Sequence, residues 1–144
     1  MIQVHGTTVA LDGLAVLLRG EPGSGKSDLA LRLIDGGARL VADDQTRLEL
    51  EDGRLIASCP GSIAGLIEVR GVGILPVASL ERAPLGLVAD LVSEEAVERL
   101  PEPAACDFLG VAVPLVRLAP YAASAAAKLR LVVSAIRQGI IPRS

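Results

Sequence analysis

Apolar positions along this chain follow two rhythms, and the switches between them set out most of its architecture. Residues 14–19, Leu-Ala-Val-Leu-Leu-Arg, are an unbroken apolar run ending on a charge, the mark of a strand covered on both faces. Residues 4–11 read as a short strand before it, and Asp12-Gly13 is a hairpin signal, because glycine accepts the positive φ such turns need. Residues 26–35 change to helical spacing: Leu29, Leu33 and Ile34 share one face, and Gly36-Gly37 supply the stop. Further on, residues 39–42 predict a short strand, 48–56 a hairpin around Glu51-Asp52-Gly53, and 66–70 a strand opening into Gly71-Val72-Gly73. Strands are expected over 85–91 and 110–118, and a closing helix over 122–137 with Leu129, Val132, Val133 and Ile136 on one face. This pattern predicts one α/β domain with a partly parallel, mostly buried sheet.

The junction between the buried strand 14–19 and the helix 26–35 carries the clearest chemistry. It reads Gly20-Glu21-Pro22-Gly23-Ser24-Gly25-Lys26-Ser27, a P-loop in the strand-then-helix setting that the motif requires. Gly20, Gly23 and Gly25 let the backbone curl so that successive N–H groups point at phosphate oxygens, and the helix adds its positive N-terminal end. Lys26 supplies a point charge for the β and γ phosphates, and the Ser27 hydroxyl is placed to ligate Mg²⁺. The chain has only two lysines, Lys26 and Lys128, against twelve arginines. One of the two stands where a P-loop needs an ammonium and where an arginine fork is no substitute. The expected ligand is a nucleoside triphosphate, ATP with Mg²⁺.

Asp43-Asp44 ends the strand over 39–42, at the carboxyl edge where α/β sheets place ligands and catalysts. A carboxylate there can hold Mg²⁺ or accept a proton from an attacking hydroxyl, and adjacent residues at a strand end point opposite ways, so the two cannot share one task. The plainer alternative is a polar turn before Gln45-Thr46. Glu68 and Arg70 alternate with Ile67 and Val69, which puts both charges on one side of a strand that enters a glycine-rich loop. That pattern serves a ligand site or a structural ion pair equally well. His5, the only histidine, and Arg99 have no functional reading from spacing alone.

Composition narrows the classes. With 144 residues, 51% hydrophobic and 22% charged, the chain is a soluble globular domain in character, able to bury a full core. Phe108 and Tyr121 are its only aromatics, so there is no row of rings for a nucleic-acid strand, and a net charge of −3 argues against a phosphate-backbone partner. No apolar stretch is long enough for a membrane span, and no basic n-region with an apolar run opens the chain. Cys59 and Cys106 have neither metal-ligand nor Cys-x-x-Cys spacing and read as idle thiols in a reducing cytoplasm.

Taken together, the motifs resemble the catalytic domain of HPr kinase/phosphorylase, the bacterial enzyme acting on a serine of the phosphocarrier HPr. The likeness runs from His5-Gly6-Thr7-Thr8-Val9 through the P-loop to Arg39-Leu40-Val41-Ala42-Asp43-Asp44, at the family's spacing from Ser27. It returns at Ile67-Glu68-Val69-Arg70-Gly71-Val72-Gly73-Ile74, similar to the family's Ile-Glu-Ile-Arg-Gly-Leu-Gly-Ile signature, and so covers most of residues 5–77.

The resemblance implies a P-loop core of the type shared with phosphoenolpyruvate carboxykinases. It implies Asp44 as the base that takes the seryl proton, His5 and Lys26 as its catalytic helpers, and Ser27 and Glu68 as Mg²⁺ ligands. Arg99, in Glu98-Arg99-Leu100-Pro101, matches a catalytic arginine that the family carries in an Asp-Arg-Leu-Gly stretch. It further implies HPr as substrate, a hexamer, and a single catalytic domain over 1–144 without an N-terminal regulatory domain, as in the short form of some proteobacteria. One element departs: the family's Pro-Val-Arg-Pro-Gly-Arg-Asn run, linked to phosphorolysis, reads Pro114-Leu115-Val116-Arg117-Leu118-Ala119-Pro120-Tyr121 here, which predicts weak reverse activity. The alternatives are a small-molecule kinase or NTPase on the same core, and a nucleotide-responsive regulator without chemistry.

Overall fold

The computed structural model describes residues 1–61 and 64–141. Its elements are β1 (Ile2–His5), β2 (Thr7–Leu11), β3 (Leu14–Arg19), α1 (Lys26–Asp35), β4 (Arg39–Ala42), β5 (Gln45–Glu51) and β6 (Arg54–Ser58). They continue as β7 (Leu66–Val69), β8 (Gly73–Pro76), β9 (Arg82–Leu91), β10 (Ala104–Phe108), β11 (Val111–Leu118) and α2 (Ala125–Arg137). One short 3₁₀ turn, Glu94–Ala96, follows β9.

β9 is the axis. Its first residues, Arg82–Pro84, pair antiparallel with β6, whereas Leu85–Asp90 pair parallel with β3 and Val88–Leu91 parallel with β11. Strands therefore leave β9 in different directions and the sheet curls. One arm runs β6-β5-β1, another β3-β2-β4, and the β10–β11 hairpin completes the side beyond β9. The expected partly parallel sheet is this one.

The unbroken apolar run of β3 has a direct cause. Leu14, Val16 and Leu18 face α1 and α2 and pack with Leu29, Leu33, Leu87, Leu129 and Val133. Ala15 and Leu17 face the other way, into a second cluster with Leu48, Leu55, Val88 and Phe108. Both faces are buried, so alternation disappears from the sequence. Each such leucine contributes about 1.5–3 kcal/mol on burial, and β3 is thereby fixed as a rigid mount for the loop that follows it.

Several expectations are refined. The single strand over 4–11 is two strands, because Gly6 breaks it: a Cβ there would lie 2.7 Å from Leu17 Cδ1 and 2.8 Å from the Leu18 carbonyl oxygen. β1 consequently leaves β2 and pairs with β5 instead. The hairpin over 48–56 extends to 45–58, α2 starts at Ala125, and β9 begins at Arg82. β8 and β10 were not expected at all. β10 pairs with β11 through a turn in which Leu109, a γ-branched residue with no intrinsic liking for it, sits at φ 52, steadied by the Gly110 N–H donating to Asp107 Oδ1 at 3.1 Å.

Candidate functional site

The loop residues 20–25 join the end of β3 to the start of α1. Gly25 adopts φ 98, a left-handed conformation, immediately before the first helical residue. A side chain there would also come within 3.1 Å of Pro120 Cβ and Tyr121 Cζ, so glycine is required for both its dihedral and its closeness. Gly20 is equally confined, with Ser24 Oγ 2.4 Å from where its Cβ would lie. Ser24 Oγ is itself buried without a hydrogen-bond partner among the described residues. Glu21, Pro22 and Gly23 form the exposed crest of the loop. Lys26 is 9% exposed, and its ammonium donates to the carbonyls of Gly20 at 2.7 Å and Glu21 at 3.1 Å. A buried cation, neutral carbonyl partners and a helix N-terminus give this hollow a local positive field, despite the negative charge of the whole chain.

Opposite the loop, the end of β4 presents both aspartates and turns them apart. Asp43 faces Ser27: its Oδ1 accepts from the hydroxyls of Thr7 at 3.0 Å and Ser27 at 3.4 Å, while its Oδ2 accepts from the Glu68 N–H at 3.1 Å. Asp44 adopts φ 68, a region that aspartate tolerates better than most residues. Its backbone N–H donates to Thr7 Oγ1 at 3.3 Å and its carbonyl accepts from the Gly6 N–H at 2.8 Å. The kink swings the Asp44 carboxylate out to solvent and toward His5, whose Nε2 is 3.6 Å from Asp44 Oδ1. β1–β5 pairing sets Gln45 beside His5, and the Gln45 amide donates to His5 Nδ1 at 2.9 Å.

Sequence-predicted residues are thus brought together in two subsets: Lys26, Ser27 and the Glu68 backbone around the loop with Asp43, and His5 with Asp44 beside it. The Glu68 carboxylate is exposed and has no hydrogen-bond or ion-pair partner among the described residues, so the structural pair with Arg70 is not formed. Arg99 is exposed in the segment between the 3₁₀ turn and β10 and makes no hydrogen bond or ion pair with the described residues.

Three participants escaped the sequence reading. Thr7 is buried and bridges the two aspartates; it sits inside the quoted His5-to-Val9 motif, so that motif was the signal. Arg19, the residue just before the loop, makes a two-point pair with Asp90 across the parallel β3–β9 register, Nε to Oδ1 at 2.7 Å and a terminal nitrogen to Oδ2 at 3.1 Å. The Asp90 hydrogen bond holds the Arg19 guanidinium pKa above its ordinary value, and the remaining terminal nitrogen donates to Cys106 Sγ at 3.5 Å. Nothing in sequence spacing links positions 71 residues apart. Both cysteines are free thiols, and burial pushes the Cys59 thiol up, away from reactivity.

This fold is a mixed α/β domain with a glycine-rich loop between a buried strand and a helix. The family model described as the HPr Serine kinase C-terminal domain matches residues 1–135. The HPr kinase/phosphorylase of Acidovorax sp. (strain JS42) is 40% identical over 123 residues, covering 76% of this chain and 39% of that protein. That of Clostridium tetani is 47% identical over 78 residues, covering 54% of this chain. The solved HPr(Ser) kinase/phosphatase of Coxiella burnetii superposes with a TM-score of 0.87 at 29% identity, over 97% of this chain and 93% of that one. The chain belongs to the HPr kinase C-terminal domain family. It spans 26% of the length of the clostridial relative, so the match lies within one part of that protein.

Proposed function

We propose that this chain is an ATP- and Mg²⁺-dependent protein-serine kinase whose substrate is the phosphocarrier HPr. The observation that carries the reading is the meeting of a P-loop with a kinked strand end that separates two carboxylates, one turned to the loop and one to solvent. A small-molecule kinase or NTPase would use the same loop, but the family membership favours HPr.

The loop N–H groups and the N-terminus of α1 bind the phosphate oxygens, and Lys26 neutralises the charge that grows on the transferring phosphoryl group. Asp44 takes the seryl proton as the serine oxygen attacks phosphorus; the new O–P bond forms while the bond to the ADP oxygen breaks. His5 fixes the Asp44 carboxylate, and Arg99, by family likeness, serves the transferring group. Ser27 and Glu68 would hold Mg²⁺, which would supply positive charge to offset that of the phosphates. The residues present suit it: a hydroxyl and an unpartnered carboxylate are hard oxygen donors. Among the described residues no three His, Cys, Asp or Glu cluster, and Mg²⁺ is commonly held by one or two protein oxygens together with substrate phosphates. Asp43 orders that pair by gripping the Ser27 hydroxyl and the Glu68 backbone together.

In this reading the protein works in the cytoplasm as a homo-oligomer, a hexamer by family likeness, on neither nucleic acid nor membrane. No described helix is long and apolar enough to cross a membrane. Exposed Val72, Ile74 and Leu75 on and beside β8 support assembly. Residues 1–144 form one catalytic domain, and the forward reaction dominates because the chain keeps Arg117 but has Leu118-Ala119-Pro120-Tyr121 where a second arginine would follow to grip phosphate. The test is incubation with labelled ATP, Mg²⁺ and purified HPr. Label should enter HPr and not its Ser→Ala variant; label in neither, with ATP still hydrolysed, would favour an NTPase.

A further inference from the structure

A cavity of 490 Å³ opens directly beside the P-loop, walled by Glu21 and Ser24 on one side, Val92 and Glu95 on a second, and Pro120 and Tyr121 on a third. We propose that it is the nucleoside subsite, with the Tyr121 ring as the platform on which the base stacks; this rests on the P-loop reading and deepens it.

Size, position and composition support the assignment. Its volume lies within the roughly 300–1,000 Å³ of small-ligand sites. Tyr121 is 70% exposed and is also the side chain packed on Gly25, so the ring stands at the junction of loop and cavity. The chain has no Trp and its single Phe, Phe108, is buried, which leaves Tyr121 as the sole benzenoid ring free to stack. One ring suits one base, whereas a strand needs a row.

The walls are also pinned before any ligand arrives. The Val92 N–H donates to the Leu118 carbonyl at 2.9 Å, and Arg32 of α1 donates to the Pro120 carbonyl. Charge sets the orientation. Glu21, Glu94 and Glu95 line the cavity and repel phosphates, which belong in the positive hollow around Lys26. The same carboxylates accept hydrogen bonds from ribose hydroxyls and from a base amino group. A nucleotide therefore enters with its sugar and base in the acidic cavity and its phosphates over the loop.

The discriminating experiment compares ATP with inorganic pyrophosphate, which has phosphates and no nucleoside, by calorimetric titration in Mg²⁺ on the full chain. Tyr121→Ala should weaken ATP about tenfold, the ~1.4 kcal/mol expected of base stacking, and leave pyrophosphate affinity within twofold of wild type. Tyr121→Phe, which keeps the ring, should restore ATP. Equal weakening of both ligands would make Tyr121 a support for Gly25 and overturn the assignment. Unchanged binding of both would place the base elsewhere and overturn it as well. Wild-type protein that binds neither ligand would instead sink the P-loop reading itself.

Discussion

The two halves of the candidate site are built differently. The half proposed to hold phosphate is local: β3, the loop and α1 are consecutive, and the loop with its lysine and serine lies within residues 20–27. The half beyond it is assembled from distant segments, Val92 to Glu95 after β9 and Ala119 to Ala122 after β11, which meet only because β3, β9 and β11 run parallel side by side. Phosphates are the same in every nucleotide, so a fixed local motif serves to hold them. Whatever distinguishes one ligand or acceptor from another has to come from the assembled half, and there a sequence carries no short signature.

The largest effect that separates the halves is expected at Lys26. Lys26→Ala removes the loop's only side-chain cation, and phosphoryl transfer should fall about 10²–10³-fold, with ATP and pyrophosphate affinity lost together and the far-UV circular dichroism unchanged. Normal turnover in this variant would break the assignment of the phosphate half. Next is Glu68→Gln, which deletes the charge of the proposed Mg²⁺ ligand: the Mg²⁺ concentration for half-maximal activity should rise about tenfold. An unshifted Mg²⁺ titration would return Glu68 to a solvated surface role.

The smallest effect joins the halves. Arg19→Leu leaves Asp90 partly buried without its partner, and urea unfolding should report a loss of about 1–2 kcal/mol. Repeating it in an Asp90→Leu background should cost less than in wild type, because the coupling term is gone. Additive losses would show that the strands are held by packing alone.

Legibility of the fold and site follows the same division. β3, α1 and β4 have the bounds that their residue patterns predict, since burial on both faces, helical spacing and glycine stops are all local signals. β10 was missed because Ala104-Ala105-Cys106-Asp107 has weak strand propensity and its turn places Leu109 at positive φ, where Gly or Asn is the recognisable residue. Gly6 hid a strand break, because only the packing of Leu17 and Leu18 against it explains the change of partner. That Asp43 and Asp44 diverge was readable from their adjacency. Which one faces the loop was not, because that depends on Thr7 and on the φ 68 of Asp44. The Arg19–Asp90 pair and the Tyr121 contact with Gly25 exist only through tertiary register, and no spacing rule reaches them.

The division of labour between those two aspartates is the central claim, and single-turnover transfer from ATP to HPr across a Mg²⁺ series measures it. Asp43 grips Ser27 and the Glu68 backbone, so Asp43→Asn should act through the metal: slow at low Mg²⁺ and largely restored at high Mg²⁺. Asp44→Asn keeps the size of the side chain but cannot accept a proton, so transfer should stay about 10²–10⁴-fold down at every Mg²⁺ concentration while ATP still binds. The opposite pattern, with Asp44→Asn rescued by Mg²⁺ and Asp43→Asn not, would contradict the account and exchange the two roles.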